Sequence, residues 1–243
     1  MTNTAPATGL APAPKNLFAR FVGMLFSPRA TYQSLVPAPV WFSMLALSTV
    51  LIAGFQTLPL TTPAGKQAAL EQQVQQRQAF GIQTSDEAYA QMEKMQNVMP
   101  YITGGSIVVI SPIIVLIFTG ILFAVFNAAL GGEASFKQVM SIVVHAGVIS
   151  TVSAVLSGTV NYFTGRVGTV TNMGALLPML PEKSFGSHLL GAVDLFLVWW
   201  IIVLAMGLGV LYKRRTQPIA ISLLCVYAVI ALGIALLKSR GGA

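Results

Sequence analysis

The stretch Gly191–Tyr212 reads GAVDLFLVWWIIVLAMGLGVLY and carries one charged residue, Asp194. At about 1.5 Å of rise per residue, a helix of this length is roughly 33 Å long, which is enough to cross the hydrocarbon core of a bilayer. The densest positive cluster of the chain follows directly, at Lys213, Arg214 and Arg215. The stretch therefore predicts a membrane-spanning helix with a cationic end.

The composition of the whole chain is that of an integral membrane protein. Of its 243 residues, 55% are hydrophobic and 9% are charged, whereas a soluble domain has about 25% charged residues. The net charge of +7 comes from basic residues that flank apolar runs. They are typical of topology signals and lipid headgroup contacts, so no nucleic-acid partner is expected. The single cysteine, Cys225, lies in an apolar run, which excludes an intrachain disulfide and a cysteine-based metal site.

The apolar runs predict an all-α integral membrane fold built as a five-span helical bundle. The predicted spans lie at 40–60, 102–129, 136–162, 188–212 and 218–237. Together with the N-terminal segment they form one predicted membrane domain over 16–237. Residues 1–15 are rich in Ala, Pro and Thr and are predicted to be disordered, and residues 238–243 are predicted to form a C-terminal tail.

Two segments outside the spans are predicted to be helical. Asn16–Ser27 is apolar on one broad side but too short to span, so it predicts an interfacial helix among the lipid headgroups. The polar insert 61–100 predicts a helical hairpin that turns at Gly81. Its second half has a stripe at helical spacing, made of Tyr89, Met92, Met95 and Met99. We expect this stripe to pack between helices or onto the membrane domain, and a ligand surface is the alternative.

The distribution of basic residues predicts the orientation of the chain. The side that holds the N-terminus has seven basic residues and one acid, Glu133, whereas the other side has seven basic residues and five acids. Three of the second set lie in the long insert, and positive-inside counting gives more weight to short loops. The N-terminus is therefore predicted to be cytoplasmic, and the insert and the C-terminus extracytoplasmic, in a multi-pass protein of the cell (inner) membrane. Lys238 and Arg240 are discordant with this orientation.

Asp194 and His145 form the candidate intramembrane polar site. A carboxylate within a lipid-spanning helix costs several kcal/mol unless it is protonated, paired or hydrated. Asp194 is predicted about six residues from the outer end of the fourth span, or roughly 9 Å deep. It is either a hydrogen-bonded part of the scaffold, which we favour, or a proton relay or ion ligand. His145 lies deeper in the third span, so the two side chains pair only if the helices are kinked or staggered.

Small residues predict where the helices pack closely. The third span has a stripe at steps of four, three and four residues, made of Gly147, Thr151, Ala154 and Gly158. Such stripes let two helices approach each other in lipid. Gly207 in the fourth span is expected to mark another close approach. The basic triplet is expected to be a topology anchor or a lipid headgroup contact.

The sequence contains no motif of a known enzyme class. There is no HExxH, GxSxG, Walker A or GxGxxG pattern. His145 and His188 have no local cluster of further ligands, so no metal and no other cofactor is expected. We therefore interpret the chain as non-enzymatic.

Three blocks of residues resemble a known family. The first is Phe26-Ser27-Pro28-Arg29-Ala30 followed by Leu35, Pro39 and Trp41, and the second is Gly131-Gly132 with Ser135-Phe136. The third is a D-x-F-x-x-W pattern ahead of a glycine, made of Asp194, Phe196, Trp199 and Gly207. In order and spacing these blocks resemble the bacterial-type Yip (Ypt-interacting protein) membrane domain family over residues 17–237. The insert 61–100 is the least similar part.

The resemblance implies a five-span helical domain with a cytoplasmic N-terminus. Eukaryotic members of the family bind small GTPases and shape vesicle traffic, but their acidic N-terminal region and DLYGP-type motif are not seen here, so GTPase binding is not expected. For bacterial-type members the resemblance implies no established activity. We expect a protein that organises the bilayer, other membrane proteins or copies of itself. The alternative is a small transporter or proton-coupled permease that uses Asp194.

Overall fold

The structure, a computed structural model, describes residues 16–79, 81–173 and 190–241. All regular secondary structure in these ranges is helical, apart from one isolated bridge between Asn172 and Asp194. The tail predicted to be disordered at 1–15 and the predicted start of the fourth span at His188 lie outside the described residues, as do the side chains of Lys238 and Arg240.

Two short helices open the described chain. Helix α1 spans Leu17–Phe26, and its first turn is capped by Asn16, whose side-chain oxygen accepts a hydrogen bond from the Ala19 amide at 2.7 Å. Helix α2 spans Pro28–Leu35 and begins with proline, whose fixed φ and missing N–H suit a first helical position. The two helices contact each other, and both also contact later helices of the bundle.

The first apolar run and the insert follow. Helix α3 spans Phe42–Thr57, and a 3₁₀ turn at Pro59–Thr61 connects it to α4, Pro63–Ala79. Helix α5 spans Asp86–Met95. The chain between α4 and α5 passes through Gly81, whose φ of 72° lies in the left-handed region that favours glycine.

The central helices differ from the predicted spans in detail. Helix α6 spans Met99–Phe123, contains Pro112 without ending there, and continues as a π-helical turn over Ala124–Ala129. The third predicted span is divided at Gly147 into α7, Phe136–Ala146, and α8, Val148–Thr164. Ser135 and Gln138 form a reciprocal capping box that starts α7.

The last two helices are α9, Leu195–Leu211, and α10, Thr216–Gly241. The prediction that Asp194 lies within the fourth helix is wrong, because Asp194 is the N-cap residue of α9. Helix α10 continues through most of the segment that was predicted to be a C-terminal tail.

Helix length separates the apolar helices into two groups. Three are long and apolar enough to cross a membrane among the described residues. They are Met99–Ala129, which is α6 with its π-helical turn, Phe136–Thr164, which is α7 and α8 counted as one helix, and Thr216–Leu236 in α10. Helices α3 and α9 have 16 and 17 residues, and each is therefore about 25 Å long, somewhat less than a hydrocarbon core of about 30 Å. The structure thus supports an all-helical fold with three long apolar helices, while the five-span count remains a prediction.

The middle of the bundle is formed by α7 and α8. In their most apolar window 67% of the residues are buried, against 11% for α6 with its π-helical turn and 11% for α10. Helix α7 contacts α1, α2, α3, α6 and α9, and α8 packs along α3. Every residue from Val139 to Ala146 is buried. Helices α6 and α10 therefore lie on the outside of the bundle and present apolar side chains outward.

Replacing Gly158 with alanine should destabilise the bundle. A Cβ at this position of α8 would overlap with the backbone carbonyl of Phe55 in α3, so one helix would have to move. Gly54→Ala, on the facing helix, is the matched control, because a Cβ there meets nothing within 4 Å. We expect a clearly lower melting temperature in detergent for Gly158→Ala and no loss for Gly54→Ala. Equal melting temperatures would contradict the close α3–α8 packing.

Candidate functional site

The carboxylate of Asp194 is satisfied by the protein itself. Its Oδ1 accepts hydrogen bonds from the amides of Phe196 and Leu197, at 2.8 and 3.1 Å. Its Oδ2 accepts one from the hydroxyl of Thr171 at 2.6 Å. Aspartate is a favoured N-cap residue because the first amides of a helix have no intrahelical acceptor, and its negative charge suits the positive end of the helix dipole.

The backbone around Asp194 is also fixed, by a residue of α10. The Asp194 amide donates to the hydroxyl oxygen of Tyr227 at 2.9 Å, and this hydroxyl donates to the carbonyl of Ala192 at 2.9 Å. Tyr227 therefore connects the start of α9 to the middle of α10. The arrangement holds a helix terminus and does not resemble an open ion-binding site.

His145 lies elsewhere and does not pair with Asp194. It is fully buried in α7, and its Nδ1 is 2.8 Å from the Ser141 carbonyl oxygen. Because a carbonyl can only accept, Nδ1 carries the proton, and Nε2 is left to accept from Arg20 Nη1 at 3.4 Å. The two members of the predicted polar site are thus used in two separate hydrogen-bond networks.

Arg20 is a buried cation, although its segment predicts only an interfacial helix. It is 7% exposed. Besides His145, its guanidinium contacts the Ser43 hydroxyl, which accepts from Nη2 at 3.3 Å, and its Nε has no partner among the described residues. This side chain connects α1 to α3 and α7. Its position inside the apolar face of α1 is the signal that could have identified it, because a charge on that face must find polar partners.

The predicted small-residue stripe begins at the break before α8 and continues along α8, the helix that packs on α3. Thr151, Ala154 and Gly158 are buried, and Gly158 abuts the backbone of Phe55. Gly147 lies at the break between α7 and α8, where its carbonyl accepts from the Thr151 hydroxyl at 3.0 Å. Gly207 of α9 lies against α7 and α2, because a Cβ there would come within 2.5 Å of Ile142 Cγ2 and within 2.8 Å of Tyr32 Cζ.

A mostly apolar cavity of about 290 Å³ lies between α3, α6, α7, α8 and α9. It is lined by Gly147, Phe118 and Trp200 among others, and Asp194 is not part of its lining. Ser48 is one of the lining residues, and its hydroxyl is buried and has no hydrogen-bond partner among the described residues. An apolar guest would suit this lining better than an ion.

The basic triplet lies in a tightly held turn between α9 and α10. The Tyr212 hydroxyl donates to Asn127 Oδ1 at 2.7 Å, and the Tyr212 and Phe126 rings stack with centroids 4.9 Å apart. Arg214 Nη2 donates to the Leu130 carbonyl at 3.0 Å. Gly132 is required here, since a Cβ would collide with the Tyr212 ring. The turn after α6 and the turn after α9 therefore form one unit.

No group of three or more His, Cys, Asp or Glu side chains within 16–79, 81–173 and 190–241 is arranged to hold a metal ion. The polar side chains described above form hydrogen bonds between helices, and positive charge is concentrated at one turn.

The comparison with known proteins agrees with the three sequence blocks and the helical fold. The Yip1 domain profile matches residues 22–237 of the chain. The chain belongs to the Yip1 domain family. This Yip1-family chain is also similar to the membrane protein YknW of Bacillus subtilis (strain 168), with 23% identity over 248 residues that cover 100% of this chain and 99% of the relative. No solved structure matches it. The predicted family and the membrane character are thus confirmed.

Substitutions of Asp194 by alanine and by asparagine test whether this residue caps α9. Asparagine caps a helix about as well as aspartate, whereas alanine cannot, and loss of a cap costs about 0.5–2 kcal/mol. We therefore expect Asp194→Ala to lower the melting temperature of the purified protein and Asp194→Asn to remain close to the unsubstituted protein. If Asp194→Ala is as stable as the unsubstituted chain, the capping role is wrong.

Proposed function

We propose that this Yip1-family protein is a non-enzymatic, five-span membrane protein that organises partner membrane proteins, copies of itself or the bilayer around its outer helices. The observation that carries the proposal is that polar and apolar side chains have different positions and contacts in the bundle. Polar groups within the bundle are used to join helices, as Asp194, His145 and Arg20 show. The outer helices α6 and α10 keep most of their apolar surface uncovered.

The uncovered surface is continuous enough along each outer helix to receive another helix or lipid. On α10 it includes Val226 and Val229, and on α6 it includes Ile114 and Ile117. In a membrane, helices associate by close packing and hydrogen bonding rather than by the hydrophobic effect. A partner helix would therefore recognise the shape of these faces.

Five spans require α3 and α9 to cross the membrane in spite of their length. A short span is accommodated by local thinning of the bilayer and by flanking side chains that reach the interface. The 3₁₀ turn extends α3, and residues 190–192 form a helical stretch ahead of the Asp194 cap. The proposed orientation follows the charge distribution, with a cytoplasmic N-terminus and an extracytoplasmic insert and C-terminus in the cell (inner) membrane.

A photo-crosslinking residue at Val229 in living cells tests the organising role. Val229 is 71% exposed on α10, so a partner on this face should give a discrete protein adduct. The same residue at Gln76, on the exposed polar side of α4, is the control for random collisions. Adducts with lipid only, from Val229 and equally from Ile117 on α6, would contradict partner organisation.

The transport alternative predicts a proton-driven flux that depends on Asp194. In proteoliposomes under a proton gradient, a permease that uses Asp194 shows a flux that Asp194→Asn abolishes. If the protein has the organising role, we expect no flux that depends on this carboxyl, because the carboxylate already accepts hydrogen bonds from three donors in the protein. A flux that is lost in Asp194→Asn, with unchanged melting temperature, would replace the proposal.

A further inference from the structure

A strongly basic cavity of about 820 Å³ lies where α2 meets the turn between α9 and α10. Two of its lining residues, Arg29 and Gln33, come from α2, and seven come from the end of α9, the turn and the start of α10. These seven are Gly209, Val210, Lys213, Arg214, Arg215, Thr216 and Gln217. Four of the lining residues are Arg or Lys and none is acidic.

The turn that carries three of these cations is fixed rather than loose. Lys213 has a φ of 52°, in the left-handed region that residues with a Cβ rarely adopt. It is held there because Tyr212 is bonded to Asn127 and the Arg214 amide donates to the Gly209 carbonyl at 2.9 Å. Strained positions of this kind persist where the surroundings over-determine them, and they cluster at binding sites.

The cavity gathers like charges from segments that are far apart in sequence. Arg29 lies in the second helix, and the other three cations follow the ninth. Like charges brought together repel one another unless an anion lies between them. Thr216 and Gln217 are the first residues of α10, so the free amides and the positive end of that helix add to the same field.

The position of the cavity favours a lipid as the source of the anion. It lies at the end of apolar α9 and at the beginning of apolar α10, and therefore at the boundary between the apolar helices and water. Next to α2, Phe26 at the end of α1 is 80% exposed, an apolar surface at the same boundary. Basic pockets beside membrane helices are suited to the headgroups of anionic lipids.

We propose that Arg29, Lys213 and Arg215 bind the phosphate of an anionic phospholipid in this cavity, with Arg214 completing the cationic wall. The arginines present a planar fork of donors that matches phosphate oxygens, and Lys213 adds a point charge. This inference goes beyond the proposed function, since it requires neither a partner protein nor a particular orientation. In this proposal the basic triplet forms one side of the phosphate site, and α2 forms the other side.

The test measures phosphatidylglycerol binding to the full-length purified protein in neutral detergent, by native mass spectrometry. Arg29→Gln and Arg215→Gln should each weaken binding by on the order of fivefold, as expected for about one surface charge. Lys137→Gln is the matched control, because Lys137 is an exposed cation at the start of α7 that does not line the cavity. It should change binding less than about twofold. Arg29 and Arg215 are exposed, so both variants should keep their melting temperature.

Two results would overturn the proposal. If Lys137→Gln weakens binding as much as Arg29→Gln, the lipid responds to overall charge and not to the cavity. If inorganic phosphate in excess occupies the site and displaces phosphatidylglycerol completely, the cavity is a site for free phosphate. Retention of phosphatidylglycerol under excess phosphate, together with loss in Arg29→Gln, supports the lipid site. Failure of the crosslinking test at Val229 would leave this outcome unaffected.

Discussion

The cap that Asp194 places on α9 is the interaction on which much of the structure depends. It sets where α9 begins, and Thr171 and Tyr227 connect that point to the loop after α8 and to α10. At the other end, Tyr212 bonds to Asn127 beside the turn that follows α6. Helix α9 is thus held at both ends, and its contacts with α2, α7 and α8 between them follow from that fixed length.

The same principle governs the other polar groups inside the bundle. In a bilayer an unpartnered polar group is costly, and most buried polar side chains of the bundle have a partner on another element or, as for Thr31 and Thr151, four residues earlier in the chain. His145 and Arg20 meet this requirement by connecting α7 to α1, which brings the N-terminal helix against the bundle. The exceptions within the bundle include Arg20 Nε and the hydroxyls of Ser48 and Ser157, and they mark places where water or a guest molecule would be stabilised.

Apolar runs and family blocks were enough to predict the helical fold, the family and the close approaches around Gly158 and Gly207, because these depend on local composition and spacing. The position of Asp194 was mispredicted because the apolar residues on both of its sides masked an N-cap, although an acid just before a long apolar run is a helix-start signal. The Arg20–His145 contact joins residues 125 positions apart, and no local pattern encodes such a distance. The break at Gly147 was hidden because glycine also suits a helix-packing stripe.

The most direct measurement of the central claim is a double-mutant cycle between Asp194 and Thr171. Asp194→Ala, Thr171→Val and the double variant are compared by chemical or thermal unfolding in the same detergent. Because the Thr171 hydroxyl donates to the Asp194 carboxylate at 2.6 Å, the account predicts a coupling free energy of at least about 0.5 kcal/mol. Strictly additive effects of the two substitutions would show that the cap is not coupled to the loop after α8 through Thr171, and would contradict the account.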